Sequence, residues 1–406
     1  MKLEGLFNVT QFDRLLQKQL STDESDKIGL EKFSREMIKA YMAALLLQPR
    51  SQRDFLDNLG IGSVWRGVCG FANDLPVQST FSRYWNNPAY HDPTDKLFLG
   101  VQELVKHKNI HSMHELPPEV MKVISAGYLP VAVDATFLVL SPKRFDYATK
   151  GYAAMEKTSE FGAKINLTID CILHMPLNYI PTTGNVHETK SIDVLIDELL
   201  KRGHPWLVTS YKRQLRMFLI LDRGYWDKHR FLWWAEHGVG FVCPRKRKTL
   251  TGAPIEFLEF PPLPGQSVEG LVWIDTDKDP LRWIVGRSHS TKHRYWDLIT
   301  SDFKLKAKDI ISAYAARWPI EEVFKWLKQY TNLKKPLTAS WDGFVFHCYM
   351  VFILIMLLMF FVALLGLPRW QENLTELWGQ LRYSSDEPWD FSRLRVPLAV
   401  FQGGMD

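Results

Sequence analysis

From Phe344 to Leu365 the chain is almost wholly apolar, broken only by His347. A run of this length has two physical fates. It spans a bilayer as a helix, or it is a helix with no solvated face, enclosed on all sides by the rest of a large domain. The second fate needs enough other chain to enclose it. The 406 residues, 46% hydrophobic and 23% charged, have ordinary globular composition and suffice for two or three domains. The N-terminal MKLEGLFNVTQFDRLL carries acidic residues early and no apolar core run, so no signal peptide is expected there. Cys69, Cys171, Cys243 and Cys348 lie far apart with no CxxC pair. That disfavours a structural zinc site and a disulfide framework, and fits a reducing cytoplasm. The net charge of +5 is too small to prove a nucleic-acid partner by itself.

Periodicity divides the chain. Residues 1 to about 125 read as helical, with Leu30, Phe33, Met37 and Tyr41 at helical spacing and a second segment, Gln52 to Leu59, stopped by Gly60. In DLPVQSTFSRYWNN, Ser79 or Thr80 is placed to cap a short helix carrying Arg83, Tyr84 and Trp85. That arrangement resembles a helix-turn-helix, with a plain helical bundle equally compatible. At Tyr128 the pattern changes. LPVAVDATFLVL, FGAKINLTIDCIL and PLNYIPTT read as three strands, Glu188 to Lys201 as a helix, MFLILD as a strand, Trp226 to Glu236 as a helix and VGFVCP as a strand. This order suits an α/β fold, a mixed sheet with flanking helices. Residues 247 to about 303, punctuated by proline and glycine, read as a small β insertion. Helical period returns at Lys308 and holds through Lys328.

Two carboxylates sit where carboxylates are costly. Asp134 lies inside the apolar strand VAVDATF, and Asp222 ends MFLILD, at the strand end where open α/β sheets present their sites. A lone aspartate at a strand end is as often a turn or cap residue. Two on adjacent strands repel unless a cation lies between them, and oxygen ligands of this kind suit Mg²⁺ or Mn²⁺. The segment YAARWPIEEVFKWLK then spaces Tyr314, Arg317, Glu321 and Lys328 by three, four and seven residues. On one helix these fall at about 0°, −60°, −20° and −40°, a single narrow face. A solvated face with an Arg317–Glu321 ion pair at i,i+4 explains part of the pattern, though Tyr314 fits it less well. Pro319 either kinks the helix or restarts it. A restart puts Pro319 in a first turn and Glu321 near a helix N-terminus.

Tyr-x2-Arg-x3-Glu-x6-Lys is the signature of DDE transposases of the insertion-sequence-4 family, and this chain resembles that family at every signature residue. The likeness extends over roughly residues 128 to 345 and takes in VDATF, LDRGY and TTGNVHETK. It implies an RNase H-like core in which Asp134, Asp222 and Glu321 are catalytic and hold two Mg²⁺ ions, with Mn²⁺ able to substitute. Tyr314, Arg317 and Lys328 would hold transposon-end phosphates. Glu322 points about 100° from Glu321 on a helix and is the weaker ligand. Arg83 and the run Arg245, Lys246, Arg247 and Lys248 are candidate DNA contacts, with a merely soluble surface the plain alternative. Trp273, Trp283 and Trp296 are candidates for stacking on an unpaired base.

The expected organisation is a helical end-binding region at 1–126, the core at 127–246 and 304–367 around the insertion at 247–303, and a tail at 368–406. The expected function is cleavage and strand transfer at the ends of a bacterial insertion sequence. The expected partners are double-stranded DNA and a second protomer in a paired-end complex. A location with the nucleoid in the cytoplasm follows. A metal-dependent nuclease and an inactive transposase-derived DNA-binding protein are the alternatives. A bilayer would press a DNA-binding face against lipid headgroups, so the 344–365 run is expected to be a buried helix covering the sheet.

Overall fold

A computed structural model describes residues 2–10, 12–20, 30–60, 64–71, 74–107, 118–153, 158–172, 174–201, 215–246, 266–273, 280–287, 295–365 and 370–383. The chain forms two compact units, one of residues 1–110, 138–163 and 324–406, the other of residues 111–137 and 164–323.

The first unit is mainly helical. Its helices are α1 (Lys2–Val9), α2 (Phe12–Leu20), α3 (Leu30–Leu47), α4 (Gln52–Asn58), α5 (Val64–Cys69), α6 (Gln78–Trp85) and α7 (His91–His107). Two more come from the far end of the chain, as shown below. The apolar run forms a 24-residue helix, Trp341–Leu364, buried along nearly its whole length. Its main neighbours are helices, α7, α3, α6 and α1 among them, together with a helix at Trp370–Tyr383. The expectation that it covers a sheet is corrected: it is the hub of a helical unit. Because helices surround it, no side of it needs to be polar, which explains a sequence without an amphipathic stripe. His347, the polar break in the apolar run, pairs its Nδ1 with the Tyr41 hydroxyl at 2.8 Å.

Around that helix the aromatic core of α3, α4 and α6 closes. Trp85 meets Tyr41 edge-on at 4.7 Å and packs on Phe81 and Phe55. Tyr84 and Trp85 are therefore core residues, and Arg83 alone of that trio is exposed. The helix starts one residue before Ser79, with Val77 as its N-cap and no side-chain cap, so neither Ser79 nor Thr80 caps it.

Most of the sheet belongs to the second unit, while residues 138–139, 149–153 and 158–163 of its strands belong to the first. α8 (Pro118–Ser125) leads into β1 (Tyr128–Val139). β2 (Thr149–Ala153), β3 (Thr158–Asp170) and β4 (Pro176–Thr183) follow, then α9 (Thr189–Lys201), β5 (Arg216–Leu221), α10 (Lys228–Glu236) and β6 (Gly240–Pro244). The sheet continues with β7 (Ser267–Val272), β8 (Leu281–Arg287) and β9 (Tyr295–Thr300). Strand order is β2-β3-β1-β5-β6-β9-β8-β7, with β4 also paired to β3. β1, β5 and β6 are mutually parallel, and their near-continuous apolar runs are buried as such strands require.

β2 lies between the first two of the three strands read from the sequence, so four strands precede α9. The strands of residues 267–300 extend the main sheet, because β9 runs antiparallel to β6 through Val242↔Thr300, Cys243↔Ile299 and Pro244↔Leu298. α9 buries Ile192, Leu195, Ile196 and Leu199, and α10 stacks Phe231 on Phe241 of β6 at 4.6 Å. From residue 307 two helices follow, α11 (Ala307–Ala315) and α12 (Trp318–Tyr330), then the apolar helix α13 (Trp341–Leu364) and α14 (Trp370–Tyr383). The helical period from Lys308 through Lys328 is therefore two helices, the restart of the two courses open to Pro319. Pro319 sits in the first turn of α12, where its missing N–H costs nothing.

Candidate active site

The parallel register sets the first two carboxylates side by side. Val133 of β1 pairs with Leu221 of β5, so Asp134 and Asp222 are the next residues along neighbouring strands. Strands pair about 4.8 Å apart, which puts Asp134, midway along β1, beside Asp222, just past the end of β5. β5 ends at Leu221, and Asp222 opens the 3₁₀ turn Arg223–Tyr225. The break before α12 supplies the third group. Arg317 lies in the two-residue turn between α11 and α12, and Glu321 in the first turn of α12, where a carboxylate also favours the helix N-terminus.

Arg317 joins these elements. Its Nη1 donates to Asp134 Oδ2 at 3.1 Å, and its Nη2 donates to Glu321 Oε1. Tyr314, buried at the end of α11, interacts with the same guanidinium and meets Trp296 edge-on at 4.7 Å. The four-residue face inferred for one helix is thus replaced by a bend, and the bend brings Tyr314, Arg317 and Glu321 to Asp134. Lys328 stands seven residues beyond Glu321 along α12 and is half-buried.

The electrostatics follow from this packing. Burial pushes the Asp134 carboxyl up to about 7, while Arg317 and the Ala135 N–H pull it down and Asp222 and Glu321 add to the rise. Burial works against the charge on Arg317, but Asp134, Tyr314 and Glu321 outweigh it and hold the guanidinium charged. Burial, then the charges of Asp134, Glu188 and Asp222, hold the Tyr225 phenol far above its ordinary value. Three carboxylates around one buried arginine are a site built for positive charge.

The family model described as Transposase DDE domain matches residues 125–357, more than half of the chain and the whole of this site. The chain belongs to the DDE transposase family. It is an enzyme that cleaves and transfers DNA. Among solved structures, a cryo-EM structure of the piggyBac transposase synaptic complex with hairpin DNA matches with a TM-score of 0.45 and 14% identity, over 92% of this chain and 75% of that one. A search of curated proteins gives no match.

DDE transposase domains are metal-dependent, and the residues present suit a divalent cation. The donors are carboxylate oxygens, and a cation, the Arg317 guanidinium, already lies between two of them. Among the described residues no three acidic, histidine or cysteine side chains enclose a ready-made metal cage.

Of the remaining candidates, Arg83 is exposed on α6 and Lys246 is half-buried just past β6, while Arg247 and Lys248 lie outside the described residues. Arg245 is corrected. It is 2% exposed, bonds both oxygens of Asp297 at 2.8–3.1 Å, and lies over the Trp283 ring, which itself donates to Asp297. It is an internal ion pair and not a surface contact. Arg245→Ala is expected to destabilise the transposase by about 2–4 kcal/mol, because Asp297 loses its buried partner. The salt dependence of DNA binding should stay unchanged. A urea midpoint at the wild-type value, with a shallower salt slope, would show a phosphate contact instead.

Trp283 belongs to the core and Trp296 packs on Tyr314, whereas Trp273 is 44% exposed. Trp318, next to Arg317, is 58% exposed and donates to Glu322. Nothing in its spacing marks it in the sequence, and only the break before α12 turns it outward. Glu188 and Tyr225 also reach the site. They belong to TTGNVHETK and LDRGY, segments that stand out in the sequence without assigning either residue a role.

Proposed function

We propose that the transposase cuts and joins the ends of a bacterial insertion sequence of the insertion-sequence-4 type, with two Mg²⁺ ions held by Asp134, Asp222 and Glu321. The observation that carries this reading is the convergence of three carboxylates: Asp134 of β1 and Glu321 of the first turn of α12 share Arg317, and Asp222 at the end of β5 lies beside Asp134. They are carboxylates of the Tyr-x2-Arg-x3-Glu-x6-Lys pattern and of VDATF and LDRGY. When bound, such ions activate an attacking oxygen and neutralise charge on the leaving oxygen of an in-line displacement, and Mn²⁺ can replace Mg²⁺.

The protein's own groups bind and orient the DNA. Arg317, released from the carboxylates, presents a planar fork to a phosphate, and Lys328 a point charge. Tyr314 supports Arg317 from α11. Arg83, Lys246, Arg247 and Lys248 contact double-stranded DNA elsewhere, and an exposed Trp273 or Trp318 offers a face for a displaced base. Two ends must be joined in one event and each protomer carries one such centre, so two protomers form the paired-end complex. Action on the nucleoid places the enzyme in the cytoplasm.

The DNA beside the gene tests this. Inverted terminal repeats bounded by short duplicated target sites are expected. Flanks without repeats on either side would overturn the insertion-sequence reading.

A further inference from the structure

Glu188 comes to the site from the chain just before α9. It is held by Lys164 of β3, whose Nζ lies 3.3 Å from Glu188 Oε1 and donates to the Val186 carbonyl at 3.0 Å. Its other oxygen, Oε2, lies 3.2 Å from the point where a side chain on Gly224 would begin. Asp222 Oδ2 lies 3.9 Å from the same point. Gly224 therefore lies close to both carboxylates, and any Cβ there would crowd Glu188.

The next residue, Tyr225, is fully buried, and its hydroxyl has no hydrogen-bond partner among the described residues. The charges acting on that hydroxyl are those of Asp134, Glu188, Asp222 and Arg317. A phenol sealed from solvent with its hydroxyl unpaired is costly. Its surroundings are three carboxylates and the Arg317 guanidinium, so a group that satisfies it lies in the carboxylate cluster itself. A neutral O–H beside several carboxylates can donate to a coordinated water or a carboxylate oxygen without adding charge.

We propose that Glu188 and Tyr225 are positioning residues of the cation centre, Glu188 as a fourth carboxylate beside Asp222 and Tyr225 as the neutral donor that orients the oxygens held there. This rests on the reading of Asp134, Asp222 and Glu321 as metal-holding residues. The local sequence makes the device compact. Asp222, Gly224 and Tyr225 sit on one 3₁₀ turn, and Glu188 reaches them from the start of the helix that packs on β4. Lys164 fixes the direction of Glu188 as an outer partner fixes a metal ligand, and loss of such partners commonly weakens metal binding about 10–100-fold.

Calorimetric titration of the full-length transposase with Mn²⁺ tests the inference, with Asp134→Asn as the reference and thermal unfolding as the control for folding. Glu188→Gln and Tyr225→Phe keep size and shape, so both should fold with a near wild-type unfolding temperature. Each is expected to weaken Mn²⁺ binding about tenfold, and Glu188→Asp should recover part of the loss. A purely structural ion pair with Lys164 would instead lower the unfolding temperature of Glu188→Gln and leave Mn²⁺ affinity unchanged. Unchanged affinity in either variant, while Asp134→Asn abolishes binding, overturns the inference alone. Unchanged affinity in Asp134→Asn overturns the metal-centre reading beneath it as well.

Discussion

Asp134→Asn, Asp222→Asn and Glu321→Gln are each expected to reduce DNA cleavage by about a thousandfold or more while leaving specific binding of end DNA intact. The magnitude follows from cooperation. Groups that hold one reacting assembly act as a unit, so the loss of any one costs nearly as much as the loss of all. Binding should survive because the DNA contacts proposed for Arg83 and Lys246 lie on other segments of the chain. These amide substitutions preserve shape, and Asp134→Asn also relieves the cost of a buried charge, so the variant should be no less stable than the parent. Glu322→Gln is the control. Glu322 accepts a hydrogen bond from Trp318, and its loss should cost much less than that of Glu321. Electrophoretic binding and cleavage assays on one DNA end separate the two effects. Wild-type cleavage in any of the three would remove that residue from the centre.

Arg317→Ala should move binding and catalysis in opposite directions. The guanidinium lies between Asp134 and Glu321, so it competes with any metal ion for the same oxygens. Two unit charges 4 Å apart near a protein surface interact by about 4 kcal/mol. Part of that is recovered when the side chain swings aside, which leaves about tenfold tighter Mn²⁺ binding in the variant, equivalent to about 1.4 kcal/mol. Cleavage should nevertheless fall about a hundredfold, because a charge-assisted phosphate contact is lost. Arg317→Lys keeps the charge without the fork and should fall between the two. Weaker Mn²⁺ binding in Arg317→Ala would show that the arginine organises the carboxylates and does not compete for them.

Much of this centre was legible before any coordinates. Apolar runs bounded by turn residues mark β1, β5 and β6, because strands buried on both faces must be written that way. The spacing from Tyr314 to Lys328 marks the third carboxylate. What escaped depends on partners distant in sequence. Arg245 looks like one of four surface cations until Asp297, 52 residues later, pairs with it across the sheet. TKGYA, the sequence of β2, carries no apolar alternation, since a short edge strand needs little. Pro319 allows a kink or a restart, and only packing chooses the restart that folds Arg317 back onto Asp134. The environment of α13 is likewise invisible, because an apolar sequence says that a helix is enclosed and not what encloses it.

On the proposed function, these carboxylates run cleavage and strand transfer in one metal-dependent centre. The direct measurement is joining of a labelled element end to an unlabelled target DNA by the purified full-length transposase, with Mg²⁺, Mn²⁺ or chelator present. Joined product is expected with either metal ion and not with chelator, and none from Asp134→Asn. Cleavage without joining under any condition would contradict the account and leave a nuclease, and joining that survives chelation would remove the metal centre altogether.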